Sequence, residues 1–232
     1  MSLLELDGVG KRYGRLDRRT VLRDVSLAVE SGEVVVIWGA RRSGRSTLLR
    51  VAAGIETPDS GTVRFEGRDL RARPGATLGE GIGYCHRAFA ARDGSPLLDQ
   101  LTSGLIARGV PLATASRRAS ESLERVEIGA WARCRPEELD GGEAVRAAIA
   151  RALTHSPRLL IIDEPTIDVD VLARDGVLAL LHSLAQEGVA VLATTGESTS
   201  LSGARALTLS EGELHGPPAR ELAEVVALMP TG

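Results

Sequence analysis

The sequence is short of lysine, aromatic residues, cysteine and long apolar runs. Lys11 is the only lysine among 28 basic residues, and aromatic residues make up 3% of the chain. Two cysteines, Cys85 and Cys134, cannot build a disulfide framework and are typical of reduced thiols in a cytosolic protein. No apolar stretch approaches the roughly 18 residues that a membrane-spanning helix needs, so we expect membrane contact only through a partner chain.

The net charge, the first residues and the length limit the kind of protein that this chain can be. A net charge of -3 at pH 7 gives no broad surface for nucleic acid, so we expect no nucleic-acid partner. The first residues, "MSLLELDGVGKRY", carry Glu5 and Asp7 before any long apolar run, which predicts that no signal peptide is present. A chain of 232 residues is long enough for one substantial core.

The pattern of short apolar runs predicts an α/β fold. The runs "LLELDGV", "VSLAVESGE" and "GTVRFEG" alternate with turn signals and predict an antiparallel β layer. The continuous run "VVVIWG" predicts a strand covered on both faces, followed by a helix in "STLLRVAAG" that ends at Gly54. Two later runs, "PRLLIIDEPT" and "GVAVLATTG", flank the helical pattern "ARDGVLALLHSLAQEG", which indicates parallel strands joined by a right-handed crossover.

The domain prediction is a single unit over residues 1–232. From about residue 88 to 137 the sequence loses β-branched runs and gains Ala, Arg, Leu and Ser, which predicts a helical subdomain inserted in the α/β core. The tail "ALTLSEGELHG" predicts a closing hairpin, and "PPARELAEVVALMP" a short final helix.

The stretch "GARRSGRST" has the outline of a phosphate-binding loop, with Arg45 where that pattern has lysine. Because the loop follows a buried strand and opens a helix, its amides can face an anion. A chance match to the pattern is the alternative for the loop taken alone. The candidate nucleotide-binding residues are Tyr13, Gly39, Arg41, Arg42, Ser43, Gly44, Arg45, Ser46 and Thr47.

An acidic pair, Asp163 and Glu164, ends the predicted strand in "RLLIIDEPT". Asp163 and the hydroxyl of Ser46 are the candidate Mg²⁺ ligands, and Glu164 is the candidate catalytic base that would polarise an attacking water. The alternative is an acidic pair at the exposed end of a core strand.

With "ELDGGEAVRAAIARAL" the chain resembles the ATP-binding subunits of ABC transporters. The resemblance covers essentially the whole chain and implies a P-loop NTPase of ABC type, with a mixed core sheet, an antiparallel β layer and an inserted helical subdomain. It also implies ATP and Mg²⁺ as ligands. The alternative for this stretch is a surface helix capped by Asp140. The signature motif of the family would comprise Leu139, Asp140, Gly141, Gly142 and Glu143.

The resemblance assigns roles to four further positions. Tyr13 would stack on adenine, and Asp170 would be the aspartate of the D-loop. Arg87 stands at the glutamine of the Q-loop, and Gly196 stands at the switch histidine. Within the family, the signature and "EPTIDVD" look most like the branch for lipoprotein release, macrolide export and cell-division permeases, although "EPTIDVD" departs from that branch's usual D-loop.

Five positions depart from what the family's mechanism needs. Arg45 replaces the lysine that meets the phosphates, Arg42 replaces a glycine, and Arg87 places a cation where the metal would lie. Gly196 has no side chain to contact a phosphate, and Asp140 puts a carboxylate near it. Arg45 alone is explained by a chain that avoids lysine. Counted as independent losses, the five favour a degenerate site.

Three functions therefore remain open. The first is a degenerate ATP-binding subunit that binds ATP, hydrolyses it poorly and regulates or completes a transporter at the cytoplasmic face of the cell membrane. Its partners would be integral membrane permease subunits and a second ATP-binding subunit, with a heterodimer favoured over a homodimer. The second is an active transport-coupled ATPase in which Arg45 stands in for lysine. The third is a soluble ABC module outside transport.

Overall fold

The computed structural model describes residues 2–14, 19–72, 80–86, 88–89, 93–167, 169–196 and 203–216. Arg87 and the final helix expected in "PPARELAEVVALMP" lie outside these residues. Across the described ranges, no helix is both long and apolar enough to cross a membrane.

Two sheets form the frame of the described chain. The first is antiparallel, with the strand order β2-β1-β4-β5, and the second has six strands in the order β10-β9-β3-β8-β7-β6. The strands are β1 (Leu4–Tyr13), β2 (Arg19–Val29), β3 (Val34–Trp38), β4 (Ser60–Phe65), β5 (Arg68–Asp69), β6 (Ile82–His86), β7 (Leu159–Asp163), β8 (Ala190–Thr195), β9 (Arg205–Ser210) and β10 (Glu213–His215). These are the mixed core sheet and the antiparallel layer that the sequence predicts.

Five α-helices lie within the described residues. They are α1 (Arg45–Ala52), α2 (Leu97–Ile106), α3 (Leu112–Arg125), α4 (Gly141–Leu153) and α5 (Val171–Gln186). Helices α2 and α3 fall within the stretch 88–137, where the sequence predicts a helical subdomain. Gly54 has a φ of 69° just past the end of α1, where a left-handed residue closes a helix.

The core lies on both faces of the six-stranded sheet. Every side chain of β3 and β7 is buried, which confirms the prediction of strands covered on both faces. Alternate residues of β3 enter different clusters: Val34 and Val36 pack toward α4 and α5, whereas Val35 and Ile37 pack toward the antiparallel sheet and α1.

The strand register brings three distant segments of sequence to one edge. Strands β3, β8 and β7 are parallel neighbours, with Trp38 beside Thr195 and Asp163 beside Thr194. Their carboxyl ends therefore lie together, and the loop after β3, the acidic pair ending β7 and the glycine after β8 meet there. Ligands of open α/β sheets bind at such an edge.

Candidate nucleotide-binding site

The loop from Gly39 to Thr47 joins β3 to α1 and depends on two glycines. A Cβ on Gly39 would lie 2.5 Å from Ser43 Oγ and 2.7 Å from the carbonyl oxygen of Leu209. Gly44 is the N-cap of α1 with a φ of 107°, and no side chain caps the helix there. The first-turn amides of α1 are therefore open to an anion, so the loop has the local structure of a phosphate cradle.

Arg42 lies in the left-handed region, with a φ of 68°. A residue with a Cβ is strained there, which gives a backbone reason for the glycine that the resemblance predicts at this position.

We expect the change Arg42→Gly to raise the free energy of unfolding by about 1 kcal/mol, because glycine adopts this φ without the strain of a Cβ. Urea unfolding followed by circular dichroism would measure it. Arg41→Gly is the matched control, because this change removes the same charge from the same loop at a residue whose φ is not positive. An equal gain from both changes would attribute the effect to charge rather than to backbone strain.

The guanidinium of Arg45 does not point freely into the cleft. Its Nη2 donates to Glu164 Oε1 at 2.5 Å, and the two side chains are only 6% and 14% exposed. Gly196 lies against the same guanidinium, because a Cβ at this position would be 3.3 Å from Nη1 and 3.4 Å from Nη2. Arg45, Glu164 and Gly196 are therefore one contiguous cluster.

The contact between Arg45 and Gly196 bears on whether their departures from the family pattern are independent. In the sequence, Arg45 and Gly196 are independent departures from the family pattern, and the scarcity of lysine explains Arg45. The structure places the forked side chain of Arg45 directly beside Gly196, where the resemblance predicts a histidine. The two departures are physically linked, so they do not count as independent losses.

Asp163 is held behind Glu164 at the end of β7. Its side chain is 2% exposed, and its Oδ1 accepts a hydrogen bond from Thr194 Oγ1 at 2.6 Å. The amide of Glu164 donates to the same hydroxyl at 3.2 Å, and Glu164 has a φ of 50°. Thr194, which the sequence analysis did not single out, thus fixes the acidic pair.

A magnesium ion would find hard oxygen donors here. The carboxylate of Asp163 and the hydroxyl of Ser46 are of the type that Mg²⁺ prefers, and Thr194 occupies one of the two carboxylate oxygens. No group of three or more His, Cys, Asp or Glu residues suited to a metal exists within the described ranges. The oxygen donors of Asp163 and Ser46 are of a type that fits Mg²⁺.

A cleft of about 930 Å³ contains most of the predicted site. Gly39 and Asp163 do not line it. Its charge is dominated by arginine, with Glu164 as the one carboxylate among the lining residues, which suits a polyphosphate. The lining residues are Tyr13, Arg19, Val21, Arg41, Arg42, Ser43, Gly44, Arg45, Ser46, Thr47, Glu164, Thr166, Ile167, Thr195 and Gly196.

Arg19 is a lining residue that sequence reasoning missed. It lies opposite Tyr13 in the pairing of β1 with β2. The runs "LLELDGV" and "VSLAVESGE" predict strands that stop before Tyr13 and start after Arg19, so they gave no signal for this pairing.

Tyr13 is tethered through its hydroxyl at the rim of this cleft. The hydroxyl donates to Glu56 and lies 3.5 Å from Thr47 Oγ1, while the ammonium of Lys11 is 5.6 Å from the ring centroid. Burial lowers the pKa of the Arg50 guanidinium, but its hydrogen bond to Tyr13 and the attraction of Glu56 outweigh this and raise the pKa above its usual value. The tethered ring is a fixed platform beside the loop.

The signature residues, Leu139 to Glu143, do not line the cleft. Asp140 caps α4: its Oδ1 accepts from the amide of Glu143 at 2.7 Å, and Glu143 Oε2 accepts from the amide of Asp140 at 2.9 Å. This is the capped helix that the local pattern predicts. Asp170 likewise caps α5 through the amides of Leu172 and Ala173, both at 3.0 Å.

The two capped helices touch at their N-termini. A Cβ on Gly142 would lie 2.7 Å from the Cβ of Ala173, so a glycine is needed where α4 begins beside α5. The residues predicted as the signature motif therefore pack beside the start of α5, just after Asp170, the predicted D-loop aspartate.

Comparison with known proteins decides the family. A family model described as ABC transporter matches residues 22–167. The lipoprotein-releasing system ATP-binding protein LolD of Cereibacter sphaeroides is 37% identical over 202 residues, which cover 84% of this chain and 90% of that protein. The chain belongs to the ABC transporter family of ATP-binding proteins.

Other members of the ABC family agree with this assignment. LolD of Myxococcus xanthus is 35% identical over 92% of this chain and 99% of its own length. The pyoverdine export ATP-binding/permease protein PvdT of Pseudomonas entomophila is 32% identical over 91% of this chain, which spans 34% of that longer protein. Among solved structures, the dimeric ATP-binding cassette MJ0796 bound to ADP and Pi has a TM-score of 0.81 at 25% identity, covering 93% of this chain and 99% of that one.

Proposed function

We propose that the chain is the ATP-binding subunit of a membrane ABC transporter complex, one that binds ATP but hydrolyses it poorly and so regulates or completes the complex. The observation that carries this proposal is the buried ion pair between Arg45 and Glu164.

Binding rests on the phosphate cradle and its cations. The open amides of α1 and the arginines of the cleft attract the phosphates, and the tethered ring of Tyr13 offers a face to the base. Ser46 and Asp163 would hold Mg²⁺, which, when bound, neutralises charge on the phosphate oxygens. These features support binding of ATP.

Slow hydrolysis follows from the state of the candidate base. A general base must accept a proton from the attacking water, but Glu164 Oε1 already accepts a charge-assisted hydrogen bond from Arg45. Position 196 adds no side chain that could contact a phosphate. Glu164, which would act on the water, is thus paired with Arg45, and position 196 has no side chain to act on the terminal phosphate.

The partners are an integral membrane permease and a second ATP-binding subunit. The relatives named for lipoprotein release and for ATP-binding/permease export support the first, and the dimeric cassette supports the second. A homodimer would repeat every departure in both sites, so we favour a heterodimer at the cytoplasmic face of the membrane. The lipoprotein-release branch is the one that we propose.

A second groove, at the start of the predicted helical subdomain, supports docking of the permease. It has a volume of about 240 Å³ where α2 meets β6 and the end of α4, and Phe89, Arg108, Arg151 and His155 line it. The guanidinium of Arg151 lies 4.8 Å from the centroid of Phe89. Burial and the neighbouring arginines lower the pKa of His155, so the arginines carry the positive charge of this groove.

We expect purified chain to bind a fluorescent ATP analogue while its turnover stays ~100-fold or more below that of an active family member assayed beside it, since a general base contributes roughly that factor. Fluorescence titration and phosphate release would measure the two. Glu164→Gln is the control and should leave the residual turnover unchanged. Normal turnover that disappears in Glu164→Gln would overturn the proposal.

One observation favours the active ATPase instead. Arg45 keeps a buried cation in the loop, at the place where the family has lysine. If it stands in for lysine, Arg45→Ala would abolish a turnover that the unmodified chain shows, and the same phosphate-release assay decides between the two functions.

A further inference from the structure

The two arms of the Arg45 guanidinium are used differently. Nη2 donates to Glu164, whereas Nη1 is buried and has no hydrogen-bond partner among the described residues. A buried donor without an acceptor destabilises the fold. The Arg45 side chain is only 6% exposed, and it lines the cleft. Such a donor is suited to an acceptor oxygen of an anionic ligand in the cleft.

We propose that Arg45, Glu164 and Gly196 form an arginine clamp, in which Glu164 holds the guanidinium through Nη2 and Nη1 binds a phosphate oxygen of the nucleotide. The clamp rests on the proposed binding of nucleotide. In it, the Arg45 guanidinium makes the phosphate contact that a side chain at position 196 would otherwise make. In this arrangement Glu164 is a positioning residue for Arg45 and not a base.

The space for the clamp comes from Gly196. The first side-chain atom at this position would already lie 3.3 Å and 3.4 Å from the two terminal nitrogens of Arg45. These distances are tight, and a larger side chain adds further atoms beyond the Cβ. Because Nη2 is paired with Glu164, the guanidinium cannot move far from Gly196 without losing the ion pair. A long side chain at position 196 therefore requires the Arg45 guanidinium to shift.

Glu164, which holds the guanidinium in the clamp, is itself held in place by hydrogen bonds. The amide of Glu164 donates to Thr194 Oγ1, and this hydroxyl donates to the buried Asp163. The carboxylate that orients Arg45 thus starts from a backbone position set by the neighbouring strand. A guanidinium held in this way loses little freedom when a phosphate binds, which favours affinity.

The clamp predicts coupling between positions 45 and 196 in the binding of a non-hydrolysable ATP analogue, measured by calorimetry. Gly196→His should weaken binding about tenfold, or ~1.4 kcal/mol, when Arg45 is present. In the Arg45→Lys chain the same change should have little effect, because the lysine ammonium lacks the fork that fills this space. Additive effects of the two changes would overturn the clamp.

Controls separate the clamp from misfolding and from a general surface effect. Gly94→His is the matched control, since a Cβ on Gly94 meets nothing within 4 Å, and it should leave binding unchanged. Gly196→Ala is a milder variant that adds only the crowded Cβ and should weaken binding in the same direction. Thermal unfolding of each variant verifies the fold.

Substitutions of Glu164 provide the second arm of the test. Glu164→Gln keeps an oxygen that accepts from Nη2 and should retain binding, whereas Glu164→Ala should weaken it about tenfold, as expected for one charge-assisted hydrogen bond. Tighter binding by Glu164→Ala would show that the carboxylate competes with the ligand and would overturn the clamp. If the unmodified chain binds the ATP analogue but the effects of the changes at positions 45 and 196 are additive, only the clamp is overturned. If the unmodified chain does not bind the analogue, the proposed function is overturned as well.

Discussion

The double change Arg45→Lys with Gly196→His is expected to raise ATP turnover by ~100-fold, the contribution typical of general-base catalysis. Lysine releases the carboxylate of Glu164 from the guanidinium, and histidine restores a side chain beside the phosphates. Either change alone should leave turnover near its starting rate, because Arg45→Lys still lacks a side chain at position 196 and Gly196→His still meets the guanidinium.

Phosphate release would measure this effect in chains that all carry Asp140→Ser. Serine is also a good N-cap, so it keeps the start of α4 while removing the carboxylate from the signature motif. Adding Glu164→Gln to the double variant is the control and should return turnover to the baseline. A double variant no faster than either single variant would contradict the assignment of slow hydrolysis to this cluster.

Removing only one partner of the buried ion pair is expected to destabilise the fold strongly. Glu164→Leu leaves the guanidinium of Arg45 buried without its carboxylate, which should lower the free energy of unfolding by about 3 kcal/mol or more. Replacing both partners, with Arg45→Met and Glu164→Leu, should recover most of this loss, because neither charge then remains buried.

Chemical unfolding of the three chains would measure these differences. The exposed pair Arg117–Glu121 on α3 is the matched control, with side chains 62% and 59% exposed. Its disruption by Glu121→Leu should change the free energy of unfolding by less than about 1 kcal/mol, since solvent screens such pairs. An equally small effect at Glu164 would mean that solvent reaches the Arg45 pair as well.

The local features of the fold were predictable because each depends on neighbours in sequence. The buried strands β3 and β7, the loop that opens α1 and the cap at Asp140 all follow from runs of residues that lie together in the chain. The edge where the site forms was also within reach, since parallel strands with crossover helices bring their carboxyl ends together.

The arginine cluster was not predictable in the same way. Arg45 and Glu164 are 119 positions apart, and their contact depends on the order β3-β8-β7 in the sheet. The left-handed backbone of Arg42 depends on the path of the loop, which no single residue type reveals. Roles at Arg87 stay predictions, because that residue lies outside the described part of the chain.

The close approach of Gly196 to Arg45 also ties the two positions together in any redesign of this site. A long side chain at position 196 would meet the terminal nitrogens of Arg45, so the guanidinium would have to move or position 45 would have to change with it. Substitutions at these two positions are therefore best made as pairs.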